Sequence, residues 1–204
     1  MAEGEVTQQD DAEAFARVLG RAVRALEREG VPYAVFGSLV SDLFGRPAPS
    51  GDIDLLVRPG DADRALDALA SEGFTTERLD PTWIYKACLQ GVLVDVIFRL
   101  KGDIYLDDEV MEHTRVVDLA GHDVRVISPE DAAMIEAVSN EAQSPDHWYN
   151  AVGIVARSDL DWDYLLRRAR HAARRVLSLL VYCDSTDVPI PSRVIAALFE
   201  STYS

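Results

Sequence analysis

Apolar positions Phe15, Leu19, Val23 and Leu26 recur at helical spacing, which predicts an amphipathic helix over 12–29, stopped by Gly30 and Pro32. Tyr33 to Phe36 is a short apolar run, read as a buried strand that ends at Gly37. Ser38 then stands at the N-cap position of a short helix over 39–44. The Gly- and Pro-rich stretch 45–51 reads as a loop, and 52–57 as a strand closed by Pro59-Gly60. A second amphipathic helix follows over 61–72, with Ala65, Leu66 and Leu69 inward and Gly73 as its C-cap. Strand patterns cover 74–78, 83–89 and 92–98, the last two joined through Gln90-Gly91 as a tight hairpin. After a loop containing Lys101-Gly102, 116–119 and 124–127 form another predicted hairpin through Gly121.

From Ser128 onward the period is helical. Ser128-Pro129-Glu130-Asp131 is an N-cap with Pro at the first helical position and acids in the first turn, opening a helix to about Asn140. Further helices are predicted over 147–156, over 162–180 with Asp161 as N-cap, and over 192–199 behind Pro189 and Pro191. The fold class is therefore α/β (α+β): a mixed, partly antiparallel sheet flanked by helices, followed by a C-terminal helical subdomain. The expected division is 1–127 for the core and 128–204 for the helical part.

Composition narrows the function classes. The 204 residues are 48% hydrophobic and 27% charged, as in a soluble globular protein. No apolar run approaches the roughly 20 residues that span a bilayer. Met1 to Asp11 is acidic and polar, without the basic start and apolar core of a signal peptide. Cys88 and Cys183 are far apart and form no ligand pattern, so both are read as reduced, buried small hydrophobes in a cytoplasmic protein. A net charge of −15 makes a nucleic-acid partner unfavourable, because little counterion-release energy is available to such a surface. It suits cationic small molecules.

The candidate chemistry lies between Phe36 and Val57, FGSLVSDLFGRPAPSGDIDLLV. Alternate strand residues share a face, so Asp52 and Asp54 point together while Ile53 turns inward. Two such carboxylates repel unless a cation sits between them or one is protonated, and hard oxygen ligands suit Mg2+. Taken alone, the pair also reads as turn carboxylates at a strand start. Asp95 interrupts VLVDVIF, a run expected to be buried on both faces of a central strand. A metal shared with Asp52 and Asp54 would compensate it; the alternative is a strand-end carboxylate paired with Arg99 or Lys101. Gly37-Ser38, where a strand runs into a helix N-terminus, lets backbone N–H groups and a hydroxyl approach a phosphate.

The order Gly-Ser, short helix, Asp-x-Asp and a third Asp on a later strand resembles the polymerase-beta-type nucleotidyltransferase superfamily. It is similar in particular to small bacterial members related to antibiotic nucleotidyltransferases and to those of toxin–antitoxin pairs. The likeness covers about Tyr33 to Ile127, and GRPAPSGDIDLLV carries it most closely, with Ser50 where Thr usually stands. The resemblance implies that Gly37, Ser38 and Ser50 contact a nucleoside triphosphate such as ATP. It implies that Asp52, Asp54 and Asp95 are the catalytic and metal-binding carboxylates, with Mg2+ as the ion and Mn2+ as its substitute, and that Asp95 can act as general base. The implied activity moves a nucleoside monophosphate to a hydroxyl or amine, first of a small molecule. A protein acceptor of the toxin–antitoxin kind and a non-catalytic nucleotide- or partner-binding module are the alternatives, and a homodimer is allowed.

Two positions depart from the family pattern. Gly51 replaces a basic residue often found before Asp-x-Asp, and Ile135-Glu136 stands where a Lys is common. Arg46, Lys86 and Arg99 are candidates to restore the positive charge. Arg167, Arg168, Arg170, Arg174 and Arg175 form the one concentrated basic segment, with Arg167, Arg170 and Arg174 on one helical face. That face reads as solvated, or as one that meets triphosphate or an acidic partner. Trp148, Tyr149, Trp162 and Tyr164 are expected in the core of the helical half, and the four histidines in surface or packing roles.

Overall fold

The computed structural model describes residues 2–45, 51–141 and 143–203, with the backbone alone for 2–10. The chain gathers into two compact units, Met1–Val35 with Ser50–Arg99 and Tyr105–Val126, and Phe36–Pro49 with Leu100–Ile104 and Ile127–Ser204.

The first unit carries a sheet of seven strands among the described residues: β1 (Tyr33–Phe36), β2 (Asp52–Val57), β3 (Thr75–Asp80), β4 (Ile84–Leu89), β5 (Val92–Ile97), β6 (Arg115–Leu119) and β7 (His122–Val126). Their order is β3-β4-β5-β2-β1-β7-β6. β5 runs parallel to β2 and β7 parallel to β1, while β3/β4, β4/β5 and β6/β7 are antiparallel. The parallel β2/β5 pair needs a crossover, which α3 (Ala62–Ser71), β3 and β4 supply. In β2 and β5, Ile53 and Leu55 register with Val94 and Val96, and all four are fully buried.

Helix α1 begins at Ala2, ten residues before the helix read from the apolar pattern, and ends at Arg28. It packs against α3, and both lie against the sheet. Gly20 of α1 has no side chain because the His122 ring occupies the space; a Cβ there would sit 2.3 Å from Nε2. Both predicted hairpins form, with Gln90-Gly91 and Ala120-Gly121 at positive φ. Positive φ at both central residues is the two-residue turn that follows the twist of the flanking strands. Helix α4 (Asp108–His113) has no counterpart in the sequence pattern and is capped by the Asp107 carboxylate, which accepts from Val110 N. A helix this short has too few apolar positions to register a period.

The second unit contains α2 (Ser38–Phe44), α5 (Pro129–Ser139), α6 (Asp146–Arg157), α7 (Trp162–Arg168), α8 (Ala173–Ser185) and α9 (Ser192–Tyr203). Ser128 caps α5 as expected, accepting from Asp131 N. Every residue of α5 from Pro129 to Val138 is buried, including Glu130, Asp131 and Glu136. The N-cap of α2 is Gly37 rather than Ser38, which is the first helical residue.

The helix expected over 162–180 is broken. A 3-10 turn covers Ala169–His171 and Ala172 leaves helical geometry at φ −159 and ψ 40. Five arginines between 167 and 175, with no acid among them, repel one another along a continuous helix. The single face of Arg167, Arg170 and Arg174 is therefore not formed. Arg168 is not on a solvated face at all: it is 0% exposed and its Nε donates to Asp131 Oδ1 at 2.9 Å. Burial pushes the Asp131 carboxyl above its ordinary value, against the pull of Arg168, Tyr164 and Ser128. Tyr164 is buried as predicted, whereas Tyr149 is 54% exposed. Cys183 is buried, with its thiol pushed up to about 11, while Cys88 is half-buried. No helix among the described residues is long and apolar enough to cross a membrane.

Candidate metal centre

The register of three adjacent strands builds the site. On β2, Asp52 and Asp54 lie two apart and therefore on one face. Asp54 pairs with Asp95 on β5, and Asp95 in turn pairs with Lys86 on β4. Lys86, Asp95 and Asp54 thus form a row across the sheet, with Asp52 beside it. Asp52, Asp54 and Asp95 each offer a carboxylate oxygen, and these oxygens lie within 4.8 Å of one another.

The surroundings of Asp95 differ from those expected. The face it shares with Leu93 is open, since Leu93 is 43% exposed, and only the Val94/Val96 face is fully buried. The Asp95 side chain retains 13% exposure. Its ion-pair partner is neither Arg99 nor Lys101. Lys86 Nζ donates to Asp95 Oδ1 at 2.8 Å and Oδ2 at 3.0 Å, covering both oxygens. Lys101 instead bonds to Glu141. The hairpin turn contained this information: a two-residue Gln90-Gly91 turn pairs 89 with 92, and so 86 with 95.

Gly37 directly follows β1 and has φ 73 and ψ −146, a backbone region open essentially to glycine alone. Behind it in the second unit, Ser41 Oγ lies 2.8 Å from Glu136 Oε1 and 3.1 Å from Gly37 O. Its single hydroxyl hydrogen favours the shorter contact, to the carboxylate. Glu136 Oε2 lies 2.7 Å from His147 Nδ1. Glu136, a departure from the family pattern, thus anchors the first turn of α2 to α5 and α6. Nothing in the local sequence signals this, because Ser41 and Glu136 are separated by 95 positions. Arg46 and Ser50 lie outside the described residues.

A second basic feature escaped the linear reading. Arg17, Arg21, Arg24 and Arg28 follow a 4-3-4 spacing along α1 and line a cavity of about 860 Å³. Arg28 and Arg21 bond to Glu72 and hold its carboxyl below the ordinary value.

Residues 2–185 match the uncharacterised nucleotidyltransferase family. The chain belongs to that family. No curated protein matches it. Among solved structures, an antigenic nucleotidyltransferase-like protein from Paracoccidioides brasiliensis is similar, at 14% identity over 91% of this chain and 92% of its own, with a TM-score of 0.55. The antibiotic-resistance factor ANT(2'')-Ia is similar at 16% identity over 84% of this chain and 97% of its own, with a TM-score of 0.52. At these identities the likeness is one of fold. It agrees with the nucleotidyltransferase resemblance drawn from the motifs.

Proposed function

We propose that this nucleotidyltransferase-family protein is a metal-dependent enzyme that moves a nucleoside monophosphate from ATP or another triphosphate to a hydroxyl or amine of a small molecule. The observation that carries the reading is the meeting of Asp52, Asp54 and Asp95 oxygens within 4.8 Å on two adjacent strands. Three carboxylates so close repel unless a cation offsets them, and hard oxygen donors fit Mg2+ or Mn2+. That an ammonium already sits on Asp95 is consistent with a cation-seeking site.

When bound, the metal supplies charge neutralisation at the triphosphate and orientation of its α-phosphate. Asp52 and Asp54 would hold it, with Asp95 completing the set. Gly37 and Ser38 would contact the triphosphate through backbone N–H groups and a hydroxyl. Lys86 would add positive charge near the phosphates; Arg46 and Ser50 are proposed contacts on the strength of the sequence motif alone. The acceptor oxygen attacks the α-phosphorus, the bond to pyrophosphate breaks, and Asp95 takes the proton from the acceptor. A small acceptor is favoured over nucleic acid by the charge of −15. A chain division at 1–127 and 128–204 and a cytoplasmic location complete the proposal.

The second reading, a non-catalytic module of the same fold, is favoured by Gly51 and by a Glu136 committed to Ser41 and His147, which leave fewer cations for a triphosphate. One experiment separates the two. The protein is incubated with Mg2+ and ATP radiolabelled at the α-phosphate, with a panel of polyhydroxylated amines or with cell extract. Label in a small product, with pyrophosphate released, supports the enzyme; label in protein moves the acceptor to the toxin–antitoxin class. No label in either, at any metal concentration, favours the module. Asp54→Asn keeps the side-chain volume but removes a ligand charge, so turnover is expected to fall about a thousandfold. Its metal-free melting temperature should stay or rise, because a repulsion is relieved.

A further inference from the structure

We propose that Lys86 is a resident counter-cation of the metal-free site, and that divalent metal displaces its ammonium from Asp95 and releases it to the triphosphate. The proposal rests on the metal-site reading above and adds a specific competition to it. Its basis is the row Lys86–Asp95–Asp54 across β4, β5 and β2, in which the ammonium meets both Asp95 oxygens at 2.8 and 3.0 Å. While both oxygens accept from Lys86, Asp95 has reduced capacity to bind metal. Once a divalent ion joins the three carboxylates, the ammonium and the ion repel each other at close range.

The choice of Lys matters. A compact ammonium on a flexible four-carbon stem can leave a carboxylate by side-chain rotation alone, whereas an Arg fork would hold it in a fixed planar pair. The exposures fit such an exchange: the Lys86 side chain is 32% exposed and that of Asp95 is 13%. The carboxylate is held while its partner has room to turn outward. A released ammonium on β4 remains one strand away from Asp95 and two from Asp52 and Asp54, and can neutralise a phosphate oxygen. It would supply part of the positive charge that Gly51 and Glu136 do not.

The test uses the full chain, Lys86→Met and Lys86→Arg, with circular dichroism to check folding. Mn2+ alone is titrated and its free concentration followed by electron paramagnetic resonance; α,β-methylene-ATP is then titrated at saturating Mn2+. Competition predicts opposite shifts for Lys86→Met. Mn2+ should bind about tenfold tighter, the size of one charge-assisted pair, and the nucleotide analogue about tenfold more weakly. Lys86→Arg should bind Mn2+ no more tightly than the parent. In chelator, Lys86→Met should melt lower than the parent, a loss that Mn2+ restores. Unchanged or weaker Mn2+ binding by Lys86→Met overturns the proposal and makes Lys86 a positioning residue for Asp95. If neither parent nor variants bind Mn2+, the metal-site reading fails and the proposal fails with it.

Discussion

Gly37 shows how one residue can be demanded by backbone geometry. Its φ of 73 and ψ of −146 lie where a Cβ clashes with the local backbone, so any other residue must strain or rebuild the turn between β1 and α2. Gly37→Ala is expected to destabilise the protein by about 1–3 kcal/mol. Differential scanning calorimetry would read this as a fall of about 2–4 °C per kcal/mol for a chain of this size. An unchanged melting temperature would mean that the turn relaxes without cost. At the same scale, Asp52 and Asp54 are legible from the sequence because a strand has a period of two. The role of Glu136 is not, because its partners Ser41 and His147 come from other helices.

Among the elements, α5 carries a fully buried charge pair. It is buried along nearly its whole length, so the Asp131–Arg168 pair is shielded from water and from salt. Tyr164 Oη donates to the second Asp131 oxygen at 2.5 Å, and Arg168 is 0% exposed. Asp131→Asn would remove the carboxylate charge that the buried Arg168 guanidinium meets at 2.9 Å, at an expected cost of about 3–5 kcal/mol. Asp131→Asn combined with Arg168→Met should recover part of that loss, since the guanidinium that the carboxylate offset is removed with it. Urea midpoints for the two single variants and the double variant close the cycle; strictly additive effects would show that the two side chains are uncoupled. The predicted helix over 162–180 failed in this same region. Periodicity recorded a continuous apolar face but could not weigh the crowded arginines or the burial of Arg168.

For the molecule as a whole, a charge of −15 sets how it meets a triphosphate. Without metal, the carboxylates of the site add to that charge and oppose an anion. α,β-Methylene-ATP should therefore raise the melting temperature in Mn2+ and leave it unchanged in chelator. At a hundredfold excess over the dissociation constant, ligand binding adds about 2.7 kcal/mol to stability. Equal shifts with and without metal would place the nucleotide elsewhere, with the arginine face of α1 the first place to look.

Much of this protein follows from local periodicity. Short apolar runs marked strands such as 33–36, the period of two put Asp52 and Asp54 on one face, and turn glycines and the Ser128 cap marked boundaries. The hairpin through Gln90-Gly91 even determined that Lys86 faces Asp95, since the length of a turn sets the register of its strands. What required the tertiary structure was whatever depends on distant segments meeting. The parallel pairing of β2 with β5 joins Asp54 to Asp95 across 41 positions, and no turn specifies that register. The open face beside Leu93, the Ser41–Glu136–His147 link and the buried Arg168 likewise arise from packing between elements. Local propensity describes each element against water, whereas burial and charge pairing are decided only by the neighbours that the fold supplies.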